Sequence, residues 1–243
     1  MNIDVRIHEF ETLDSTNRLL IDMAKTGSPC GTVVWAHRQS SGRGRLGRSF
    51  SSPEGGVYVS FLLPLPDNYE AIGFSLTAMA GVAVKRTISE VCNVNCGIKW
   101  VNDVILDGKK VCGILAQVAG DKVVMGIGVN YTTPASGFPE EIRDIACSIY
   151  DDPVKAPKMS LFVETLARNV FGICGGNDES WLEDYKSSST IVGNEVQIIQ
   201  AGKVVGRGRA VMIDDLCHLH VLSDEGKEIV LSTGEVSIRK DYD

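Results

Sequence analysis

Gly42-Arg43-Gly44-Arg45-Leu46-Gly47-Arg48 is the stretch on which the fold reading turns. Its glycines follow the spacing G-x-G-x-x-G, the fingerprint of a dinucleotide-binding turn, which would imply a doubly wound parallel sheet. That fingerprint needs a helix directly after the glycines. Here Ser51-Ser52-Pro53 and Gly55-Gly56 follow and forbid one. Nor does a Gly-Lys-Ser/Thr ending mark a phosphate-binding P-loop. The stretch is therefore an irregular, basic loop between two strands.

Its charge is out of keeping with its surroundings. No acidic residue lies between Arg38 and Glu54, yet the chain has 24 Lys+Arg against 31 Asp+Glu, a net charge of −7. Glycines let backbone approach a ligand closely, and arginines offer planar forks to carboxylate or phosphate oxygens. An anion is the expected ligand. Like charges and glycine entropy predict a mobile loop that such a ligand orders.

Moving outward, residues 32–36 read as the strand before the loop and 57–63 as the strand after it. Further upstream, Ile3, Val5 and Ile7 alternate with polar residues, which predicts a half-buried strand over 3–13. Asp14 or Ser15 suits a helix N-cap, with Leu19, Leu20 and Met23 as the apolar face. Downstream, Ile72, Leu76, Met79, Ala83 and Ile88 recur at helical spacing across 71–91. Strands at 104–106, 111–118 and 123–129, joined by Asp107-Gly108 and Gly120-Asp121, form an antiparallel meander. Helices are expected at 161–171 and 180–185. After Ser187-Ser188-Ser189 come short strands at 196–199, 204–213, 216–222 and 229–231, the pattern of a small β-barrel appended to an α+β domain. The division falls at 1–188 and 189–243.

The 243 residues, 44% hydrophobic and 23% charged, suit a globular protein with a sizeable core. No apolar run is long enough for a membrane span, and Met1-Asn2-Ile3-Asp4 lacks the features of a signal peptide. The cytoplasm is the expected location. The seven cysteines have no paired CxxC spacing, so zinc and disulfide frameworks both fit poorly. An acidic chain without a basic helix argues against nucleic-acid binding.

Three further features carry chemistry. Lys99-Trp100-Val101-Asn102-Asp103, with Lys109-Lys110 across a hairpin, offers lysine, carboxamide and carboxylate at a strand end. Such a set could hold a base, a metal ion and a phosphate, although Asp103 also suits a turn cap and the lysines a solvated surface. Ser15-Thr16-Asn17 places short polar groups at a helix start, where N-capping is the plainer role. Gly113, Gly126 and Gly128 interrupt strands, where glycine marks the close approach of a ligand or another backbone.

In this order, the landmarks resemble the biotin–protein ligase family. They are Asp14-Ser15-Thr16-Asn17, Gln39 leading into Gly42–Arg48, Lys99–Asp103, Lys110-Val111-Cys112-Gly113-Ile114-Leu115 and Gly126-Ile127-Gly128-Val129-Asn130. The resemblance covers nearly the whole chain. It implies a catalytic domain akin to class II aminoacyl-tRNA synthetases and lipoate ligases, plus an SH3-like C-terminal β-barrel. The implied activity joins biotin to ATP with Mg²⁺, giving biotinyl-5′-adenylate and pyrophosphate. Biotin then passes to one lysine of a biotin carboxyl carrier protein.

By the same resemblance, Ser15, Thr16 and Gln39 contact the ureido ring and Asn17 shapes its pocket, with Gly113 alongside. Arg43, Gly44 and Arg45 hold carboxylate and phosphate, Lys110 bridges both, and Arg48 lies on the ATP side. Asn102 and Asp103 match positions near adenine and magnesium, Asp103 being the metal candidate. Arg239, in Val236-Ser237-Ile238-Arg239, matches a nucleotide-linked arginine. The pattern departs at Val101, where the family usually has proline, and at Phe50, often tryptophan.

Family members that repress transcription carry an N-terminal DNA-binding domain. The landmarks here start within the first twenty residues, so the expected form lacks it. The family includes monomers and dimers, and a homodimer is among the expectations. The nearest alternative is a lipoate–protein ligase. A nucleic-acid-binding module and a non-catalytic biotin-binding protein are more distant ones.

Overall fold

The computed structural model describes residues 4–238, apart from 68, 177, 201, 233 and 234; side chains at 70–72, 74, 235, 237 and 238 are likewise outside it. Ile3, the Ile72 side chain and Arg239 therefore lie outside the described residues.

The first half builds a seven-stranded sheet in the order β1-β2-β3-β7-β6-β5-β4. Its strands are β1 (Arg6–Leu13), β2 (Thr32–Gln39), β3 (Gly56–Pro64), β4 (Gly97–Lys99), β5 (Asp103–Leu106), β6 (Lys109–Ala119) and β7 (Lys122–Asn130). β1 and β2 are parallel, joined by helix α1 (Thr16–Lys25); the remaining pairs are antiparallel. The meander forms where the turns demand it. Asp107 and Gly108 both adopt positive φ, at 49° and 78°, which a two-residue hairpin of this hand requires.

Two helix layers cover the sheet. The long α2 (Tyr69–Cys92) and α3 (Met159–Cys174) bury Leu76, Ile88, Phe162, Leu166 and Val170 against one face. Phe61 meets Phe171 there edge to face, centroids 5.8 Å apart. On the other face α1 buries Leu20 and Ala24 against Val34, Leu62 and Val124. β1 differs from its predicted half-buried pattern: Val5 and Ile7 are 40% and 38% exposed. It is the edge strand, and α1 lies over β2, β3 and β7 instead.

Helix α4 (Trp181–Ser187) leads into a second, antiparallel sheet ordered β11-β10-β9-β8-β12. These strands are β8 (Glu195–Gln200), β9 (Lys203–Ile213), β10 (Leu219–Ser223), β11 (Glu228–Leu231) and β12 (Glu235–Ile238). Val196, Ala210, Leu219, Val221 and Val236 fill its interior, continuous with the main core. β10 starts later than the sequence predicts. The Asp214 carboxylate accepts from the N–H groups of Leu216 (2.9 Å) and His218 (2.8 Å), closing a turn with Cys217 at φ 63°. The short β4 and β12 were not predicted.

Candidate active site

β3 and β7 turn Val57, Val59, Phe61, Val123, Met125, Ile127 and Val129 into the main core, and glycines interrupt the opposite face. In register across the sheet lie Tyr58, Gly128 and Gly113, then Ser60, Gly126 and Leu115. Directly opposed residues of antiparallel strands share a face. The three glycines therefore open a trough, and above it lies a cleft of about 350 Å³. That suits a small ligand. The predicted close approach at these glycines exists, but the partners are side chains. A Cβ on Gly126 would stand 2.1 Å from Asn17 Oδ1, and one on Gly128 2.5 Å from the Phe50 ring.

The buried end of the cleft is built by the start of α1. Ser15 is its N-cap, with Oγ accepting from Arg18 N at 3.5 Å, so the capping role is real. Its neighbours do more. Thr16 N–H donates to Gln39 Oε1 (2.8 Å), and Gln39 Nε2 donates to Ser52 Oγ (2.9 Å). Asn17 Nδ2 donates to Gln117 Oε1 (2.8 Å), and Ser60 Oγ donates to Asn17 Oδ1 (2.6 Å). Sequence reasoning missed Ser60 and Gln117. A single serine within the apolar run Val57–Leu63 was the available signal.

The open end is cationic. Lys110, at the start of β6, lines the cleft, and its Nζ lies 2.7 Å from Asp103 Oδ1. Distance makes this an ion pair, but the angles are not those of a hydrogen bond, so buried Asp103 Oδ1 has no hydrogen-bond partner among the described residues. Backbone pairing with the 145–147 segment holds Lys110: its N–H donates to Ile145 O (2.8 Å), and its C=O accepts from Cys147 N (3.0 Å). Lys109 points elsewhere, donating to Arg143 O at 3.4 Å.

Asn102 ties the loop to the sheet. Its Nδ2 donates to Ile114 O (2.8 Å) and its Oδ1 accepts from Arg45 Nη1 (3.0 Å). The Trp100–Val101 peptide before it is cis. Trp100 Nε1 donates to Cys217 O at 2.8 Å, anchoring this turn to the second sheet. Ile199 and Val236 of that sheet also line the cleft, as do Arg43, Gly44, Arg48 and Lys99. Arg43 is exposed and its side chain makes no contact of note with described residues, while Leu46, at the loop tip, is 73% exposed with φ 55°.

Phe50 lies inside the cleft, packed on Gly113 and Gly128, with Lys110 Nζ 5.9 Å from its ring centroid. Tyr58 closes the trough beside it; its hydroxyl donates to Pro53 O (2.7 Å), and burial pushes its pKa up, so it stays protonated. Burial likewise raises the Cys112 thiol, leaving an inert side chain. Among the described residues no group of three or more His, Cys, Asp or Glu side chains could form a metal cage. Asp103 instead offers one carboxylate, its Oδ1 facing the Lys110 ammonium at 2.7 Å. A single carboxylate suffices for Mg²⁺, which takes one or two and completes its shell with phosphate and water.

This arrangement combines a glycine trough, a hydrogen-bonding end and a cationic end. Known proteins are similar to this chain in sequence and in fold. A profile of the biotin/lipoate A/B protein ligase family matches residues 9–130, and one of the biotin protein ligase C-terminal domain matches 191–239. The biotin–[acetyl-CoA-carboxylase] ligase of Mycobacterium tuberculosis is 34% identical over 231 residues, covering 91% of this chain and 85% of that protein. The bifunctional ligase/repressor BirA of Bacillus subtilis is 38% identical over 145 residues, covering 57% of this chain. That match spans only 44% of the Bacillus protein's length. Among solved structures, the biotin protein ligase of Aquifex aeolicus in complex with biotin and ATP superposes with a TM-score of 0.82 at 29% identity, covering 97% of this chain and 99% of that one. The chain belongs to the biotin/lipoate A/B protein ligase family.

Proposed function

We propose that this protein activates biotin as biotinyl-5′-adenylate, using ATP, and transfers it to a lysine of a biotin carboxyl carrier domain in a biotin-dependent carboxylase. One observation carries this reading: a single cleft has buried amide and hydroxyl groups at one end and Lys110, Arg43 and Arg45 at the other. A cyclic urea suits the first end and two anions suit the second.

Biotin's carboxylate must approach the α-phosphate of ATP, and the two repel. Lys110, which the ion pair with Asp103 holds in place, would bridge carboxylate and phosphate. Arg45, steered by Asn102, and Arg43, on the outer loop, would supply the remaining charge, with Gly44 allowing backbone approach and Arg48 facing the pyrophosphate. Asn102 and Asp103 would flank the nucleotide, and Asp103 would hold Mg²⁺, which would supply neutralising charge to the phosphates. Ser15, Thr16 and Gln39 would take the ureido ring, Asn17 its pocket wall, and the trough at Gly113 the valeryl chain.

In the second step the carrier lysine's neutral amine attacks the mixed anhydride at its acyl carbon. An amide forms and AMP leaves. Water is the competing nucleophile, and closure of the 42–48 loop over the adenylate would exclude it.

Seven unpaired thiols suit a reducing compartment, and we assign the protein to the cytoplasm. No helix among the described residues is long and apolar enough to cross a membrane. With a net charge of −7, the reading includes no DNA partner. A homodimer would use the edge strand β1, where Ile7 is exposed, and sedimentation across a concentration series tests it.

The deciding experiment incubates the protein with biotin, Mg²⁺ and α-labelled ATP. Label retained as adenylate with biotin, and not with lipoate, is the expected result. Retention with lipoate alone would move the chain to the lipoate branch of its family.

A further inference from the structure

The buried end of the cleft contains one polar side chain with no role so far. Ser60, at the centre of β3, is 0% exposed. It cannot touch solvent, and its Oγ stands 2.8 Å from Thr16 Oγ1 and 2.6 Å from Asn17 Oδ1. We infer that Ser60, with Gln117 behind it, is a positioning residue that acts together with Gln39 to make the Thr16 hydroxyl an acceptor only, so that the cleft selects a ligand ring bearing N–H donors. The inference rests on the proposed function and deepens it.

Asn17 Nδ2 donates to Gln117 Oε1, which leaves Asn17 Oδ1 facing Ser60. A carboxamide oxygen has no proton, so at 2.6 Å Ser60 must donate. With that proton spent, the single Thr16 proton is taken by Ser60 Oγ or by Gln39 Oε1 at 3.1 Å. Thr16 has one hydroxyl proton, and it points inward. Reversing both amides changes the path and not the result. Ser60 then accepts from Asn17 and donates to Thr16, whose proton goes to Gln39 Oε1 at 3.1 Å. In both arrangements Thr16 has only lone pairs left for the cleft.

Nearby groups keep the relay in place. Gln39 cannot rotate its oxygen away, because the Thr16 N–H holds it at 2.8 Å. Ser60 lies opposite Gly126, whose missing Cβ leaves the space that Asn17 occupies. A ring N–H gains a hydrogen bond at Thr16, whereas a ring oxygen or sulfur meets lone pair against lone pair.

The test compares biotin with carbamate analogues in which a ring N–H is replaced by oxygen, measured by titration calorimetry on wild-type protein, Ser60→Ala, Ser60→Thr and Gln117→Leu. Ser60→Ala should weaken biotin about five- to tenfold, the worth of one neutral hydrogen bond, while changing the carbamates less. Discrimination should therefore narrow. Ser60→Thr, which keeps the hydroxyl, should restore it. Gln117→Leu attacks the relay from the partly exposed end, so it serves if Ser60→Ala does not fold. Equal weakening of biotin and carbamates, or no change in either, would overturn the inference. If the wild-type protein itself fails to bind biotin, the functional reading falls, and this one with it.

Discussion

Thr16, Asn17, Gln39 and Ser60 at the buried end of the cleft each hydrogen-bond to other side chains without a ligand. At the open end, three arginines share a loop whose firm attachments are few. Arg45 reaches Asn102, Gly44 N–H donates to Arg48 O at 2.7 Å, and Phe50 N–H to Gly42 O at 2.9 Å. The contrast is one of timing. Hydrogen-bonding recognition is set before binding, when a buried unmatched group would be costly. The loop's charge is left for a ligand to draw together, because anions offset the repulsion among its arginines. A rigid end can select, and a pliant end can close.

The largest effect should come from removing charge where the two ends meet. Lys110→Ala is expected to lower pyrophosphate exchange with biotin by on the order of 10²–10³ or more while the fold persists. Normal exchange would move the role to Lys109, despite its contact with Arg143. Arg45→Ala should form adenylate slowly and release it readily, shown by loss of label on gel filtration. Retention at the wild-type level would mean the open end does not hold the intermediate.

A smaller effect probes the trough between them. Gly128→Ala places a methyl group against the Phe50 ring, and strain of about 1–3 kcal/mol should lower the melting temperature. Adding Phe50→Ala should recover part of that loss, because the two positions share one contact. Additive losses would show that the ring is not what the methyl meets.

The smallest effect lies outside the cleft and serves as a control. His220 sits between Glu228 (2.8 Å) and Asp214 (3.3 Å), with His218 on the same carboxylate. The hydrogen bond to Glu228 raises its pKa above 6.5. The fold therefore favours the charged ring: this stabilisation is complete below the unfolded value and is lost as pH rises through the folded one. An NMR titration of the His220 ring should show the raised midpoint, and Glu228→Gln should lower it. Biotin affinity should stay unchanged across that titration.

Much of the fold was legible because its signals are local. Apolar spacing marked α2 and α3, and paired turns at Asp107-Gly108 and Gly120-Asp121 marked the meander. β1 misled, because alternation in sequence does not say whether a neighbour covers the strand. The predicted strand over 216–222 misled for a different reason: Asp214 captures the next N–H groups and makes a turn of residues that otherwise read as extended. In the candidate site the basic loop and the lysine segment stood out through composition. Ser60 and Gln117 did not, since one serine in an apolar strand and one glutamine near a turn carry no pattern.

The sequence alone determined the chemistry on offer: a cationic glycine loop, a hairpin lysine, a polar helix start and glycines placed to open a sheet face. Those depend on residue type and on neighbours within a few positions. Only the tertiary structure decided which of these meet, because the joining contacts are long in sequence. Asn17 reaches Gln117 across 100 residues, Arg45 reaches Asn102 across 57, and Thr16 meets Ser60 across 44. A hydrogen bond needs its partners within about 3 Å, and no local propensity sets that distance. It is set by sheet register and by the packing of α1 over β3, which bring a helix start and a buried serine to one place.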